Sequence, residues 1–424
     1  MNLPKAVEFA FKKIMDAGGQ AYLVGGALRD RMLGKPVTDY DIASSFLPGQ
    51  IEKIFSGEKT WPSGKRFGTI TVKIDNTAVE ITTFRKDSAY SDSRHPDHVT
   101  YISDICQDLA RRDFTINAMA YNPYISDGLV DPFGGRKDLQ NRVIRAVGNP
   151  VERFTEDPLR IMRGIRFSAQ LGFEIEWETK QAMKTCYHLL SKVAAERLRS
   201  ELDNLLLSAN PDKGLLLLQE TGILACMFMF KDKGYCEAED YQMIKNMEAF
   251  PAYRLSALFS MLYSAGFSTA DILDSVKDKL IQLRYDKKTI HQILKMLKGY
   301  SAISNMDITP FSVREFLGKM GIQDTKQCIR WYKEAQKIHK NPSAVQRAEK
   351  ASSLLKDIIR RGDAVFSHQL AINGKHVLQA GIGLQNPRIV GEALDLAYRW
   401  VLEDPSRNQP DCLIAMLKEY YSNL

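Results

Sequence analysis

The chain has 424 residues, 44% hydrophobic and 26% charged, which is long enough for two or more packed units and ordinary for a soluble protein. Fifty-eight Lys and Arg against 51 Asp and Glu leave a net charge of +7, which permits a polyanionic partner without demanding one. Six cysteines, at 106, 186, 226, 236, 328 and 412, form no C-x-x-C pair or Cys/His cluster, so neither structural zinc nor a disulfide framework is indicated and a reducing, cytoplasmic setting is expected.

Residues 1–19 carry an amphipathic helix pattern that ends at Gly18-Gly19 and lacks the long apolar region of a signal peptide. Residues 22–24 read as a short buried strand that stops at Gly25-Gly26, after which 27–33 resume with helical spacing. A glycine pair between strand and helix leaves backbone N–H groups unshielded at the positive end of the helix. That is a place for phosphate, and Arg29 adds a full charge one turn in. Next comes Thr38-Asp39-Tyr40-Asp41-Ile42. On a strand, residues i and i+2 face one way, so Asp39 and Asp41 are expected to project together, about 6 to 7 Å apart. Such a pair suits divalent cations, because Mg²⁺ favours one or two carboxylates plus substrate phosphates. Alone, Gly-Gly is often a turn and Asp-x-Asp a solvated strand end; within one strand-turn-helix-strand unit they are far more specific.

A helix is expected over 48–55. The stretches 68–74 and 78–84 alternate at period two and read as a hairpin across Asp75-Asn76. Glu80 lies opposite Val79 and Ile81, either as a third carboxylate of the same site or as an exposed polar strand position. Residues 84–101, with Arg85, Tyr90, Asp92 and Arg94, have no steady period and read as a long mobile loop. Residues 110–122 begin with charge and turn into a helical apolar face. Arg111 and Arg112 suit phosphates and Asp113 suits ribose hydroxyls, unless Asp113 merely caps a helix. Residues 129–139 form a turn-rich connector.

A helix over 155–173 has apolar residues at 159, 162, 165 and 169 and basic ones at 160, 163 and 166. Asp157 and Arg160 are i, i+3 neighbours that offer an acceptor beside donors. Cytosine and adenine show an amino donor next to a ring-nitrogen acceptor, whereas uracil and guanine show the opposite order. Such a pair therefore accepts C and A and rejects U and G. The alternative makes Asp157 the cap of a helix starting at Pro158, with Arg163 and Arg166 on a solvated face. Beyond Gln181 everything reads as helix, including 194–207 and the basic segments 287–300 and 358–381. The most apolar run, 215–230, is interrupted by Gln219, Glu220 and Thr221, short of the ~18 apolar residues of a membrane span, so no membrane segment is expected.

GGALRDRMLGKPVTDYDIAS, RRDFTINAMA, EDPLR and AAERLRSEL resemble motifs of the bacterial (class II) tRNA nucleotidyltransferase/poly(A) polymerase family. The resemblance implies an α/β + all-α fold: a nucleotidyltransferase head with a small mixed sheet and helices over 1–140, a helical neck with a base-reading helix over 141–206, a helical body over 207–300 and a tRNA-binding helical tail over 301–424. It implies template-independent addition of C and A to the 3′ end of tRNA from CTP and ATP, with a two-ion Mg²⁺ site and release of pyrophosphate.

Carried over residue by residue, Asp39 and Asp41 resemble the catalytic metal ligands, with Glu80 beside them. Gly25, Gly26 and Arg29 match the phosphate cradle, and Arg112, Asp113 and Asn117 the sugar-recognition motif. Asp157 and Arg160 resemble the protein template for the incoming base, with Glu156 orienting the arginine and Arg163 and Arg166 in the same nucleotide site. Arg85, Tyr90, Asp92 and Arg94 match the family's flexible loop, Asp131, Gly134 and Gly135 its hinge, and Glu196 and Arg197 a brace of the neck. The chain departs from the pattern at Lys86-Asp87, where a Glu is expected, and at 372–394, which lacks the usual Pro-Gly-Pro. Related proteins that add only CC or only A, poly(A) polymerases, and a catalytically silent RNA-binding protein are the rival readings. The presence of the 84–101 stretch favours complete CCA addition, and no obligate protein partner is expected.

Overall fold

The period-two runs of the first 84 residues become strands of one mixed sheet. A computed structural model describes residues 3–62, 64–87, 99–228, 236–261, 269–384 and 386–422, in two compact units, 1–233 and 234–424. The boundary falls inside the segment expected as a single helical body.

In chain order the head contains α1 (Lys5–Asp16), β1 (Ala21–Val24), α2 (Gly25–Met32), β2 (Tyr40–Ser44), α3 (Pro48–Ile54), β3 (Lys59–Trp61), β4 (Thr69–Ile74), β5 (Thr77–Thr83), β6 (Arg85–Asp87), β7 (Val99–Tyr101), α4 (Ile105–Ala110), β8 (Ala120–Tyr121), β9 (Leu129–Val130) and α5 (Gly135–Asn141). The main sheet has seven strands in the order β3-β4-β5-β2-β1-β8-β9, and β2–β5 is its parallel pair. β4 and β5 form the expected hairpin, with Asp75 at φ 53 in its turn.

Side-chain alternation divides the sheet into two faces. Leu23 and Ile42 stand opposite each other, and Ile42 stands opposite Ile81, on one face. α1 packs against the sheet with Ala6, Val7, Ala10, Phe11 and Ile14 buried along one stripe. Tyr22, Val24, Ala43 and Ala120 belong to the other face, where they cluster with Phe84, Ile105 and Leu109. Asp41 shares that second face with Ala43, two residues on, and Glu80 is its direct neighbour across the parallel pair.

The chain then builds β10 (Val143–Ile144), α6 (Pro150–Glu156), α7 (Leu159–Leu171), β11 (Glu174–Ile175), α8 (Trp177–Cys186), α9 (Ala195–Leu206), α10 (Pro211–Glu220) and α11 (Ile223–Phe228). The second unit is helical in its described elements: Ala238–Asn246, Pro251–Ser260, Thr269–Gln282, Lys287–Asn305, Pro310–Met320, Ile322–Ile338, Pro342–Arg361, Gly374–Gln379, Pro387–Glu403 and Pro410–Ser422. Among the described residues no helix is long and apolar enough to cross a membrane, and no cysteine forms a disulfide.

Four expectations are corrected. The helix over 155–173 is two helices, because Asp157 is extended (φ −137) ahead of Pro158, a position that disfavours helical backbone. Residues 110–122 are not a helix; 113–120 are all buried, leaving no solvated side, and they run through a 3₁₀ turn at Thr115–Asn117 into β8. The basic segment 358–381 is interrupted where Gly362 turns left-handed at φ 68, and a new helix starts at Gly374 under the Asn373 side chain. Finally, the ends of the 84–101 stretch pair as an antiparallel ribbon, β6 with β7, Arg85 opposite Tyr101.

Gly135 opens α5 against the 3₁₀ turn. A Cβ there would stand 2.1 Å from the Thr115 carbonyl oxygen and 2.8 Å from Met119 Cγ. Gly135→Ala should therefore destabilise the protein by about 1 to 3 kcal/mol, seen as a lower urea midpoint at unchanged slope. An unmoved midpoint would mean that α5 shifts freely.

Candidate active site

β1 ends and α2 begins at Gly25, whose φ of 67 is left-handed and favours glycine. A Cβ at Gly25 would stand 3.0 Å from Arg112 Nη1 and 3.5 Å from Asp41 Oδ2, so a carboxylate and a guanidinium converge on bare backbone. Burial pushes the Asp41 carboxyl up to about 6; Glu80 adds to the rise, Arg112 opposes it and Asp39 contributes further. Asp39 itself lies one residue ahead of β2 and is exposed, a correction to its expected place on the strand, and it accepts from Thr38 Oγ1 at 3.2 Å. Among the described residues no three His, Cys, Asp or Glu side chains close into a ready ligand set. The donors nonetheless suit a hard divalent cation: crowded carboxylates whose mutual repulsion such an ion would relieve, beside a glycine turn open to phosphate.

Arg29 is buried, 7% exposed. It donates to Asp30 through Nε (2.9 Å) and Nη2 (2.8 Å) and to Asn117 Oδ1 through Nη1 (2.8 Å). Its charge lies beside Gly26, with Nη2 3.5 Å from where a Cβ would stand. Asn117 in turn donates to Asp113 Oδ1 at 3.1 Å, and Asp113 Oδ2 accepts from Arg163 Nε (2.8 Å) and Nη2 (2.7 Å). Burial alone would raise the Asp113 carboxyl, but the Arg163 guanidinium and the Asn117 amide outweigh it and hold it at about 2.

The solvated arginine face does not form. Arg166 donates to Glu201 Oε2 (2.5 Å) and Gln170 (2.7 Å). Its guanidinium, with those of Arg29 and Arg163, surrounds the Phe167 ring at 4.2, 5.0 and 5.3 Å.

Arg160, 6% exposed, donates to Glu156 Oε2 (3.1 Å) and to the Arg111 carbonyl (2.9 Å). Asp157 Oδ1 accepts from the Leu159 N–H (3.1 Å), as a cap would, and its Oδ2 accepts from Arg197 (3.2 Å). Glu196 is exposed. Arg85 donates through its backbone N–H to Asp108 Oδ1 (3.2 Å) and through its guanidinium to the Phe67 carbonyl. Tyr90, Asp92 and Arg94 lie outside the described residues. Asp131 accepts from the N–H groups of Gly135 (2.7 Å) and Arg136 (2.9 Å). Asp108, Phe167 and Glu201 are structural members of the site that sequence reasoning did not single out. Asp108 had a signal, lying three and four residues before Arg111 and Arg112 on one helix face.

The family model for the poly A polymerase head domain matches residues 21–145, and that for the probable RNA and SrmB-binding site of polymerase A matches 172–230. The chain is 33% identical over 410 residues to the CCA-adding enzyme of Pediococcus pentosaceus, covering 95% of this chain and 94% of that one. The chain belongs to the CCA-adding enzyme family. It is 45% identical to the CCA-adding enzyme of Ligilactobacillus salivarius over 258 residues, a stretch spanning 61% of that relative's length. The crystal structure of the Bacillus stearothermophilus CCA-adding enzyme, in complex with CTP, superposes with a TM-score of 0.76 at 28% identity, covering 100% of this chain and 99% of that one. The fold expected from the motifs, a mixed-sheet head followed by helices, is the fold of that CCA-adding enzyme.

The folded pKa of Asp113 lies below its ordinary 3.8. Its contribution to stability is thus fully present above about pH 4 and is lost as pH falls through about 2. Asp113→Asn should cost about 2 kcal/mol at neutral pH and give a shallower loss of unfolding free energy between about pH 4 and 2. Parallel curves for the two proteins would show that the Arg163 pair carries no such linkage.

Proposed function

We propose that this chain adds C and A to the 3′ end of tRNA from CTP and ATP, without a nucleic acid template, releasing pyrophosphate. The observation that carries this reading is the convergence of Asp41 and Arg112 on the Gly25 turn, with Glu80 beside Asp41 across the parallel strand pair, in a chain of the CCA-adding family. Nucleotidyltransferases of this kind generally use divalent metals. We assign Mg²⁺ here, held by Asp39 and Asp41 with Glu80 beside them, where it would activate the attacking 3′ hydroxyl and steady the departing pyrophosphate.

The protein's own groups do the rest. Gly25 and Gly26 offer bare backbone to the triphosphate, with Arg29 and Arg112 supplying charge beside it. Asp113 and Asn117 form the sugar-recognition pair, Asn117 meeting the sugar and Asp113 holding its amide in place. Arg160 is fixed by protein acceptors yet carries five N–H donors, and the Asp157 carboxylate has acceptor sites beyond those its two partners use, so both retain capacity for a base edge. Glu156 holds the arginine in place, and Arg163 and Arg166 stiffen the helix that carries it.

We assign catalysis to the head, base reading to the neck, and tRNA binding to the basic helices of the second unit, in the cytoplasm. The family relationship favours complete CCA addition over partial activity. Incubation with tRNA lacking CCA, and separately with tRNA ending in CC, against each nucleotide in turn tests the assignment; refusal of either substrate would overturn complete addition.

Asp41→Ala and Asp39→Ala should each abolish addition while tRNA binding stays nearly unchanged, and full activity in either would end the metal assignment. Arg160→Ala should relax discrimination against UTP and GTP, since mismatched buried donors and acceptors cost about 1 to 3 kcal/mol each. Misincorporation at the unmutated level would remove Arg160 from base reading.

A further inference from the structure

Asp108, in α4, is a carboxylate with 1% of its surface exposed. A buried charge persists only when it is paired and hydrogen-bonded. Its Oδ1 accepts from Arg111 Nε (3.0 Å) and Nη2 (2.9 Å) and from the Arg85 backbone N–H (3.2 Å), and its Oδ2 accepts from Arg112 Nη2 (3.3 Å). Burial works against its charge, but the two arginines hold it below the usual carboxylate range.

These partners lead outward to the site. The other end of the Arg112 guanidinium, Nη1, is the atom nearest the missing Cβ of Gly25. Arg112 thus spans from Asp108 to the phosphate turn, pulled from behind by a fixed anion. At the end of α4, the Ala110 carbonyl accepts from Arg153 (3.1 Å) and the Arg111 carbonyl from Arg160 (2.9 Å). Free carbonyls at a helix C-terminus are natural seats for guanidinium groups. Arg85 begins the β6–β7 ribbon, so the same carboxylate also anchors the base of the segment expected as the flexible loop.

We propose that Asp108 is a positioning residue of the nucleotide site: it aims Arg112 at the Gly25 turn and locks the end of α4 on which Arg160 rests. The proposal rests on the reading of this cleft as the nucleotide site. That reading is tested separately, by C and A incorporation in the unmutated protein.

Asp108→Asn keeps the shape and one acceptor while removing the charge, so it separates aiming from folding. In the full chain, CTP binding measured without tRNA should weaken about tenfold, the scale of one charge-assisted hydrogen bond. KM for CTP and ATP should rise alike, with kcat at saturation within about threefold. On an Arg112→Ala background the same change should weaken CTP binding clearly less than it does alone, since the two share the Arg112 contact and only the effect through the end of α4 remains. Asp108→Glu, which keeps the charge but displaces it, should also weaken CTP binding, and it serves where the Asn variant melts too low to assay. CTP binding within about twofold of the unmutated protein in either folded variant, or fully additive losses with Arg112→Ala, would overturn the proposal and leave Asp108 a fold-stabilising ion pair.

Discussion

The ion pair between the buried Asp113 and the half-buried Arg163 joins the sheet-bearing head to the helix behind it. The Asp113 charge could not be buried alone, because the desolvation cost of an unpaired ion amounts to several kcal/mol. It is therefore committed to Arg163, and their two segments to one relative placement. Asn117 extends the pair towards Arg29, and Glu201 extends it through Arg166, with Phe167 as an apolar floor under three guanidiniums. This charge chain fixes α7 relative to the glycine turn. Any chemistry that needs triphosphate and base held at once depends on that placement.

Against this well-satisfied network, the carboxylates near Gly25 stand out as poorly satisfied. The parallel register of β2 and β5 sets Asp41 directly against Glu80. Burial and that neighbour lift Asp41 to about 6 even with Arg112 at hand. A fold that pairs Asp113 so thoroughly leaves Asp41 repelled, which is the pattern of a site prepared for a ligand. Glycine at position 25 keeps the opening clear, and left-handed backbone there gives the strand a sharp exit into α2.

Arginine serves three purposes within one cleft. Arg112 bridges a buried anion and the phosphate turn; Arg163 and Arg166 are paired with distant carboxylates; Arg160 rests on a helix end and on Glu156. Their spacing along α7 places 160, 163 and 166 on one stripe. Whether that stripe is solvated or paired depends on Asp113, 50 residues before Arg163, and on Glu201, 35 residues after Arg166. A local pattern cannot report partners that far away.

Much was legible in the residues alone. Period-two alternation located the β4–β5 hairpin, Gly25-Gly26 marked the strand-to-helix turn, and the motif strings pointed to a mixed-sheet head followed by helices. Local rules failed where long-range contacts override them. Residues 110–122 look amphipathic, but burial on every side makes them a 3₁₀ turn and a strand. Asp157-Pro158 breaks what periodicity joined, although the Pro rule was there to be read. The pairing of Asp41 with Glu80, the position of Asp39 just outside the strand, and the commitment of Asp113 to Arg163 and of Arg29 to Asn117 were decided only in three dimensions. Backbone preference is set by neighbours within a few residues, whereas the protonation and reach of a charged group are set by whatever the fold brings within hydrogen-bonding distance.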